Sequence, residues 1–414
     1  MRMKLNKKSQ LALVAAGSLL VATMLTACET LTVDFVFVTS AQAAGANNYG
    51  VVDVFEINSE SGQMRQIPTS PFPSGGRNPV AEAVSSTNTN LFVVNKDDNT
   101  IVQFIIGNDG KVYPQNTTNT PGIFPMAVAI NGTNLFVVDT YQPLPTCSPA
   151  APCSGSVGVF PISTATTGNP PSEFLTTPVG NGDLNYWPLN LPGKPNDVIV
   201  PTAINVLKSG NFLYVSAYDS SVTPNVGYVF GFAINSGSLT PLNGGAPFFA
   251  GTHPSGLASD PSSSYLYVTD SANSDVLGYS AASGLLTPLA GSPYKAGGSP
   301  SSIVVDPTYP YAYVANAQDS SVTEYSISSG ALTNIGTMST GLQPVAIGID
   351  PSTNHFLYTL NFLGSSVNGT LSGFELSPTS GTLLVSKNSP YKSSALPTAV
   401  AAIPHNGTGA GVTK

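Results

Sequence analysis

The sequence predicts an all-β fold, a seven-bladed β-propeller closed by strands from both chain ends. Three observations carry this. Pro79, Pro125, Pro201, Pro254, Pro300, Pro344 and Pro397 recur with spacings of 46, 76, 53, 46, 44 and 53 residues. Each opens a short apolar strand, a turn, and then a run such as LFVV, LYV or AYV. A period of about 40–50 residues holding several strands is the mark of a propeller blade. No long stretch of period 3.6 follows residue 30, which argues against a helical repeat.

The unit from Pro254 shows the elements in order. GLAS is a first strand, small enough for a crowded axis. DPSS is a turn, in which Asp260 bonds the backbone ahead and Pro261 pre-sets φ. YLYVTD is an aromatic and β-branched second strand, and SANSD is a polar turn. DVLGYSA is the third strand, ASG turns the chain, and LLTPLAG is the outer fourth. Pro288 suits an outer edge because no ladder donor is lost there.

The two ends complement each other. VDFVFVTS, YGVVDVFEIN and SGQMRQI, within residues 33–67, match second, third and fourth strands with no first. PTAVAAIP (Pro397–Pro404) is a first strand with no blade behind it. Joined, they make blade one and close the ring. The alternatives are six blades, with 125–200 irregular, or an open solenoid. GSVGVFPIS (Gly155–Ser163) reads as a third strand and favours seven. The repeats leave no linker, so residues 29–404 form one domain and 405–414 a flexible tail.

Charged residues make up only 9% of the 414, against a usual share of about 25%, so the polar surface is largely neutral. This composition suits a protein outside the cytoplasm. Residues 1–28 read as a targeting segment. Arg2, Lys4, Lys7 and Lys8 precede the apolar run Leu11–Leu25, which is short for a spanning helix. Leu25-Thr26-Ala27-Cys28 then looks like a bacterial lipobox, with Cys28 lipidated as the mature N-terminus. An uncleaved anchor, or an ordinary signal peptide cut near Ala41-Gln42-Ala43, is the alternative. The second would remove VDFVFVTS from blade one. The expected address is the bacterial cell envelope, lipid-anchored, either periplasmic or at the outer membrane and surface.

Losing residues 1–27 removes four basic residues and no acid. It leaves 10 basic against 22 acidic residues, a formal net charge of −12. That balance, with no basic stripe, argues against nucleic acid and leaves the lipid anchor as the membrane contact. Cys147 and Cys153, in TCSPAAPCSG, are expected to form a local disulfide. Free thiols or metal ligands are the alternatives, but no zinc-type spacing surrounds the pair, and neither a metal nor a cofactor is expected.

The strand order defines a face. If first strands descend the channel, the two-to-three and four-to-one loops share one end, here called the top. Residues preceding the repeat prolines ring its mouth: Asn78, Phe124, Val200, His253, Ser299, Gln343 and Leu396. The two-to-three loops add Asn95, Asp97, Asp98, Asp139, Asp219, Asp270, Asp275, Asn316, Asp319 and Asn361. These read either as turn formers or as an acidic rim for a cation or sugar, although no DxDxDG calcium loop occurs. Blade three carries insertions at about 141–154 and 181–197, the second holding Tyr186, Trp187 and Lys194. Both emerge on the top and are candidates for a partial lid or for simple packing embellishment.

The repeats resemble the seven-bladed lactonase propellers, which include bacterial 6-phosphogluconolactonase-like proteins and fungal carboxy-muconate cyclases. NPVAEAVSSTNTNLFVVNKDDNTIVQF, PSGLASDPSSSYLYVTDSANSDVLGY and PSSIVVDPTYPYAYVANAQDSSVTEY carry the resemblance. The tip SGxL adds to it at Ser236–Leu239, Ser283–Leu286, Ser329–Leu332 and Ser380–Leu383. It covers roughly residues 33–404, and YVTN-type surface propellers share these motifs. The resemblance implies His, Glu and Arg at the channel mouth, where an acid or base works beside cations that hold a carboxylate or phosphate. The matching residues here are His253, Glu82 and Arg77. His355 lies in an opposite-face turn, His405 in the tail, and Arg65 in an outer strand, so the full cationic clamp is missing.

Two function classes follow. One is an envelope lipoprotein, monomeric, that binds a small molecule, glycan or protein on its top face. Asn78, Phe124, Ser299, Gln343 and Trp187 are its candidate contacts. The other is a metal-independent lactone hydrolase with His253 as general base, acting on a substrate that is not strongly anionic.

Overall fold

The computed structural model describes residues 32–44, 47–58, 61–164, 173–350, 356–365 and 368–404. Cys28, His355 and the tail from 405 lie outside them. Seven antiparallel sheets form a seven-bladed propeller. The inner strands are Pro79–Val84, Ile123–Ile130, Ile199–Val206, Pro254–Ser259, Pro300–Val305, Leu342–Ile349 and Pro397–Pro404. Each neighbours the next, and the last returns to the first. Blade one is built as expected from both ends: Pro397–Pro404 pairs with Thr32–Ala44, which pairs with Tyr49–Asn58 and then Met64–Gln66.

Outer strands are continuous in blade two (Val112–Asn119) and blade six (Ala331–Ser339) and broken in the other blades. In blades one, five and seven the break falls at a Ser-Pro step. There Ser70, Ser292 and Ser389 accept the third-strand amides of Val54, Gly278 and Gly373. In blade three the outer strand is Glu173–Leu175 followed by Trp187–Pro188. The front of the 181–197 insertion is therefore part of the blade itself.

Second strands are apolar at nearly every position because both of their faces are covered. Side chains alternate between the two neighbouring blades, and seven apolar clusters result, one at each seam. Leu266 and Val268 face blade four, for example, while Tyr267 faces blade six.

The two recurrent sequence motifs meet across these seams. Tyr214, Tyr267 and Tyr313 donate their hydroxyls to the carbonyls of Gly284, Gly330 and Gly381, each at 2.9 Å. Each acceptor is the glycine of SGxL in the next blade. Gly330 has φ +84°, and a Cβ there would lie 2.4 Å from the Tyr265 ring, so no other residue fits. Tyr267→Phe removes this donor from a carbonyl in a buried seam and is expected to cost roughly 1–2 kcal/mol. Denaturant unfolding checks this; an unchanged midpoint would mean the contact is only decorative.

The repeat prolines have a packing role as well. The Pro254 ring rests where a Cβ on Gly227 would sit, 2.6 Å from Cδ, and Pro79, Pro201 and Pro397 rest likewise on Gly50, Gly155 and Gly369. A register shift accompanies every repeat proline. Asn78, Phe124, Ser299, Gln343 and Leu396, just before the proline, have left-handed φ between 51° and 56°. Bulges of this kind re-aim side chains, and here they turn the preceding residue toward the mouth.

Candidate functional site

The strand-end acids and amides hold the mouth together from beneath. Asn95, Asp139, Asp219, Asp270, Asn316 and Asn361 lie at or near the mouth ends of the second strands of blades two to seven, and all are fully buried. Asp139 accepts the amide of Gly122 at 3.0 Å, and Asn316 that of Gly297 at 3.1 Å. Asp270 accepts Thr252 at 2.6 Å and His253 at 3.0 Å. Asn95, Asp139, Asp270 and Asn316 thus brace the incoming four-to-one loops, Asp219 accepts the Ser221 amide of its own loop, and Asn361 donates to Thr370 and Ser372, so these six form no solvent-facing acidic rim. The exposed Asp97 and Asp319 are also engaged, with the Asn78 amide and the Gly298 N–H.

Asp270 thereby positions His253. The Ser271 hydroxyl donates to the His253 carbonyl at 3.0 Å and lies 3.1 Å from Nδ1. With its proton so used, Ser271 accepts from Nδ1–H, a tautomer assigned from this network that leaves Nε2 with its lone pair. The imidazole stacks on Tyr218, ring centres 4.2 Å apart and planes inclined by 30°.

Tyr218 is part of a longer aromatic arc. Burial, with help from the nearby Tyr141, raises its phenol above the ordinary tyrosine range, so it stays neutral. Tyr141 meets Phe124 edge-on at 6.1 Å, and the Lys96 ammonium stands 6.0 Å from the Phe124 ring centre. Phe124 is fixed by its backbone, its N–H donating to Asn99 Oδ1 at 2.7 Å and its carbonyl accepting Thr140 Oγ1 at 2.7 Å. Phe124, Tyr141, Tyr218 and His253 are all half-buried and run along the mouth from blade three to blade five. Sequence reasoning missed both tyrosines. A signal existed: Tyr218 precedes its strand-end acid where the other blades carry Val94, Val138, Thr269, Ala315 and Leu360.

The other expected residues sit elsewhere. Arg77, on blade two, is bound to Asp98 through Nε at 2.6 Å and through its own N–H at 2.7 Å. Glu82 points into the seam with blade one, where Thr39 Oγ1 donates to Oε2, and its Oε1 is buried with no hydrogen-bond partner. No hydrogen bond, ion pair or ring contact joins Glu82, Arg77 and His253. Ser299 and Gln343 line a shallow cavity of about 450 Å³ with Ala317, Gln318, Ser320 and Leu342. Trp187 is only 3% exposed, packed in the seam of blades three and four, and does not face the mouth.

Cys147 and Cys153 form a disulfide with Cα atoms 5.5 Å apart. Its loop touches the second insertion, through Gln142 to Asn190 at 3.1 Å and Ser154 to the Asp197 carbonyl at 3.0 Å. The two insertions therefore brace each other beside Tyr141. Among the described residues no cluster of His, Cys, Asp and Glu could hold a metal ion.

Fold and mouth together define a closed seven-bladed propeller with an aromatic arc on one face. Residues 228–395 match the family described as "Lactonase, 7-bladed beta-propeller". A putative 6-phosphogluconolactonase from Bacteroides fragilis is similar in structure, with TM-score 0.67 and 18% identity over 90% of this chain and 99% of that one. The periplasmic gluconolactonase of Pseudomonas aeruginosa gives 0.65 and 15% over 90% and 99%. A protein from Lactobacillus plantarum gives 0.64 and 17% over the same shares. At such identities the likeness speaks for the fold. No curated protein sequence matches the chain.

Proposed function

We propose that this protein is a cell-envelope lipoprotein that binds a small, uncharged, ring-shaped ligand, a sugar or sugar lactone, on its top face. The observation that carries the reading is the arc of Phe124, Tyr141, Tyr218 and His253, half-buried rings that run along one side of the mouth. Aromatic faces suit the apolar faces of sugar rings, and the one arginine near the mouth is already held by Asp98. A strongly anionic ligand would find little compensation there. The envelope address rests on the basic–apolar–LTAC order of residues 1–28.

The test is calorimetric titration of residues 29–414 with neutral monosaccharides, disaccharides and aldonolactones. Tyr218→Ala removes one stacking surface and is expected to weaken binding roughly 3- to 10-fold, the equivalent of about 0.5–1.5 kcal/mol. Equal affinity in wild type and mutant, or no binding across the panel, would sink the reading.

Lactone hydrolysis is the second reading, favoured by the Ser271–His253 geometry. Nε2 would take a proton from water, and the resulting hydroxide would add to the lactone carbonyl. The ring C–O bond would then break, the alkoxide recovering the proton from His253. Two of the similar structures carry gluconolactonase names, which supports this reading for the chain only by analogy. Turnover at the uncatalysed rate leaves the binding reading standing, whereas turnover that vanishes in His253→Ala would replace it.

A further inference from the structure

We propose that the anchored protein stands with the bottom face of its propeller against the lipid surface and its channel mouth pointing away from the membrane. This rests on the lipoprotein reading and adds an orientation to it. Thr32 begins the second strand of blade one at the bottom, where it pairs with Asn58, and Asp34 pairs with Pro404. The same strand reaches the mouth at Ser40, opposite Pro397.

Lengths decide between the faces. Between Cys28 and Thr32 lie only Glu29, Thr30 and Leu31, a covalent reach of at most about 14 Å even when fully extended. From Thr32 to Ser40 the strand rises about 26 Å. A lipid on Cys28 therefore cannot reach past the blade to bring the mouth down onto its own membrane, whereas the bottom face is within reach. That face carries the exposed side chains Tyr113, Phe174, Leu285 and Leu384 at the starts of outer strands in blades two, three, five and seven. Aromatic and aliphatic groups of this sort sit comfortably at headgroup level. The top also exposes Leu342 and Leu396, so the apolar groups alone do not choose a face; the tether does.

The experiment uses the full chain made in a bacterial host and returned to phosphatidylcholine vesicles. Incorporation of a clickable fatty acid, abolished by Cys28→Ala, establishes the anchor. A dye is then attached at Lys208→Cys, exposed on the bottom, or at Gln318→Cys, exposed on the top, the native disulfide protecting Cys147 and Cys153. Energy transfer to acceptor-labelled headgroups is expected to be several-fold greater from position 208. A Gly-Ser stretch inserted before Thr32 is expected to erase most of that difference. Failure to incorporate fatty acid would remove the anchor, and with it both the lipoprotein reading and the orientation. Lipidated protein with equal transfer from the two positions, or more from 318, would overturn the orientation alone.

Discussion

Asp270→Ala is expected to lose roughly 2–4 kcal/mol of stability and to release His253 from its place, while Asp270→Asn, which keeps one of the two accepting oxygens, loses a smaller part of it. Asp270 accepts the amides of Thr252, His253 and Ala272 and the side-chain amide of Asn273, and it is fully buried. Alanine leaves those donors facing an apolar wall or forces water into the loop. Asparagine keeps one accepting oxygen for two of the four donors, while its NH2 group faces the other two, so only part of the bracing survives. In blade six Asn316 accepts only Gly297 N–H, and its amide donates to Ser321 and Thr323. In blade five Asp275 stands opposite residue 270, as Ser321 stands opposite Asn316. Burial, and then the Asp270 charge, raise the Asp275 carboxyl above its ordinary range. An amide at 270 would remove that repulsion, which offsets part of the loss. Denaturant unfolding measures the stability difference. With three histidines in the chain, the His253 resonance is assignable by mutation, and its shift should move further in Asp270→Ala than in Asp270→Asn. Equal losses in both variants would mean that the charge, not the bracing geometry, holds the loop.

The ring was legible because its periodicity is a consequence of packing. Every blade must bury both faces of its second strand, so LYV-type runs recur. Blades five, six and seven also receive the preceding blade's tyrosine at the glycine of SGxL, so the two motifs recur together there. The closure of blade one was readable for the same reason, since each end lacked what the other supplied. Residues 147 and 153 were close enough in sequence for their pairing to be expected, and they do pair. The mouth was harder. Whether a strand-end Asp faces water or a loop amide depends on the bulge at each proline, which composition does not reveal. Trp187 stood out as the only tryptophan, yet an insertion that begins with the blade's own outer strand buries it. Tyr141 and Tyr218 gained significance only when the fold set Tyr141 against Phe124 and Tyr218 against His253.

Glu82→Val is expected to stabilise the protein in alkaline solution by roughly 3–5 kcal/mol and to flatten its stability between pH 5 and 9. The position third after each repeat proline is Val128, Ile204, Leu257, Ile303, Ile347 and Val400 in the other blades. Glu82 alone places a carboxyl there, at the seam where the two chain ends close the ring. The residue as a whole keeps some surface, but Oε1 has none and no partner, so desolvation governs its titration. Burial pushes the carboxyl up to about 8, against the opposing hydrogen bonds from Thr39 and the Ala401 backbone. The unfolded carboxyl titrates near its ordinary 4.5, so between these values the folded state holds a proton that the unfolded state has lost. The stability from that proton is complete below about 4.5 and is lost as pH rises through about 8. Asp139 works in the same direction, burial raising it from 3.8 to about 7 despite the bonds from Gly122 and Thr120. Glu82→Val therefore leaves a residual slope that ends near pH 7. Glu82→Gln is the control for charge alone: it should gain stability at pH 9 but not at pH 5, where the native carboxyl is already neutral. Unfolding midpoints across the range decide the matter. A wild-type protein as stable at pH 9 as at pH 5 would show that the ring opens enough at this seam to hydrate Glu82.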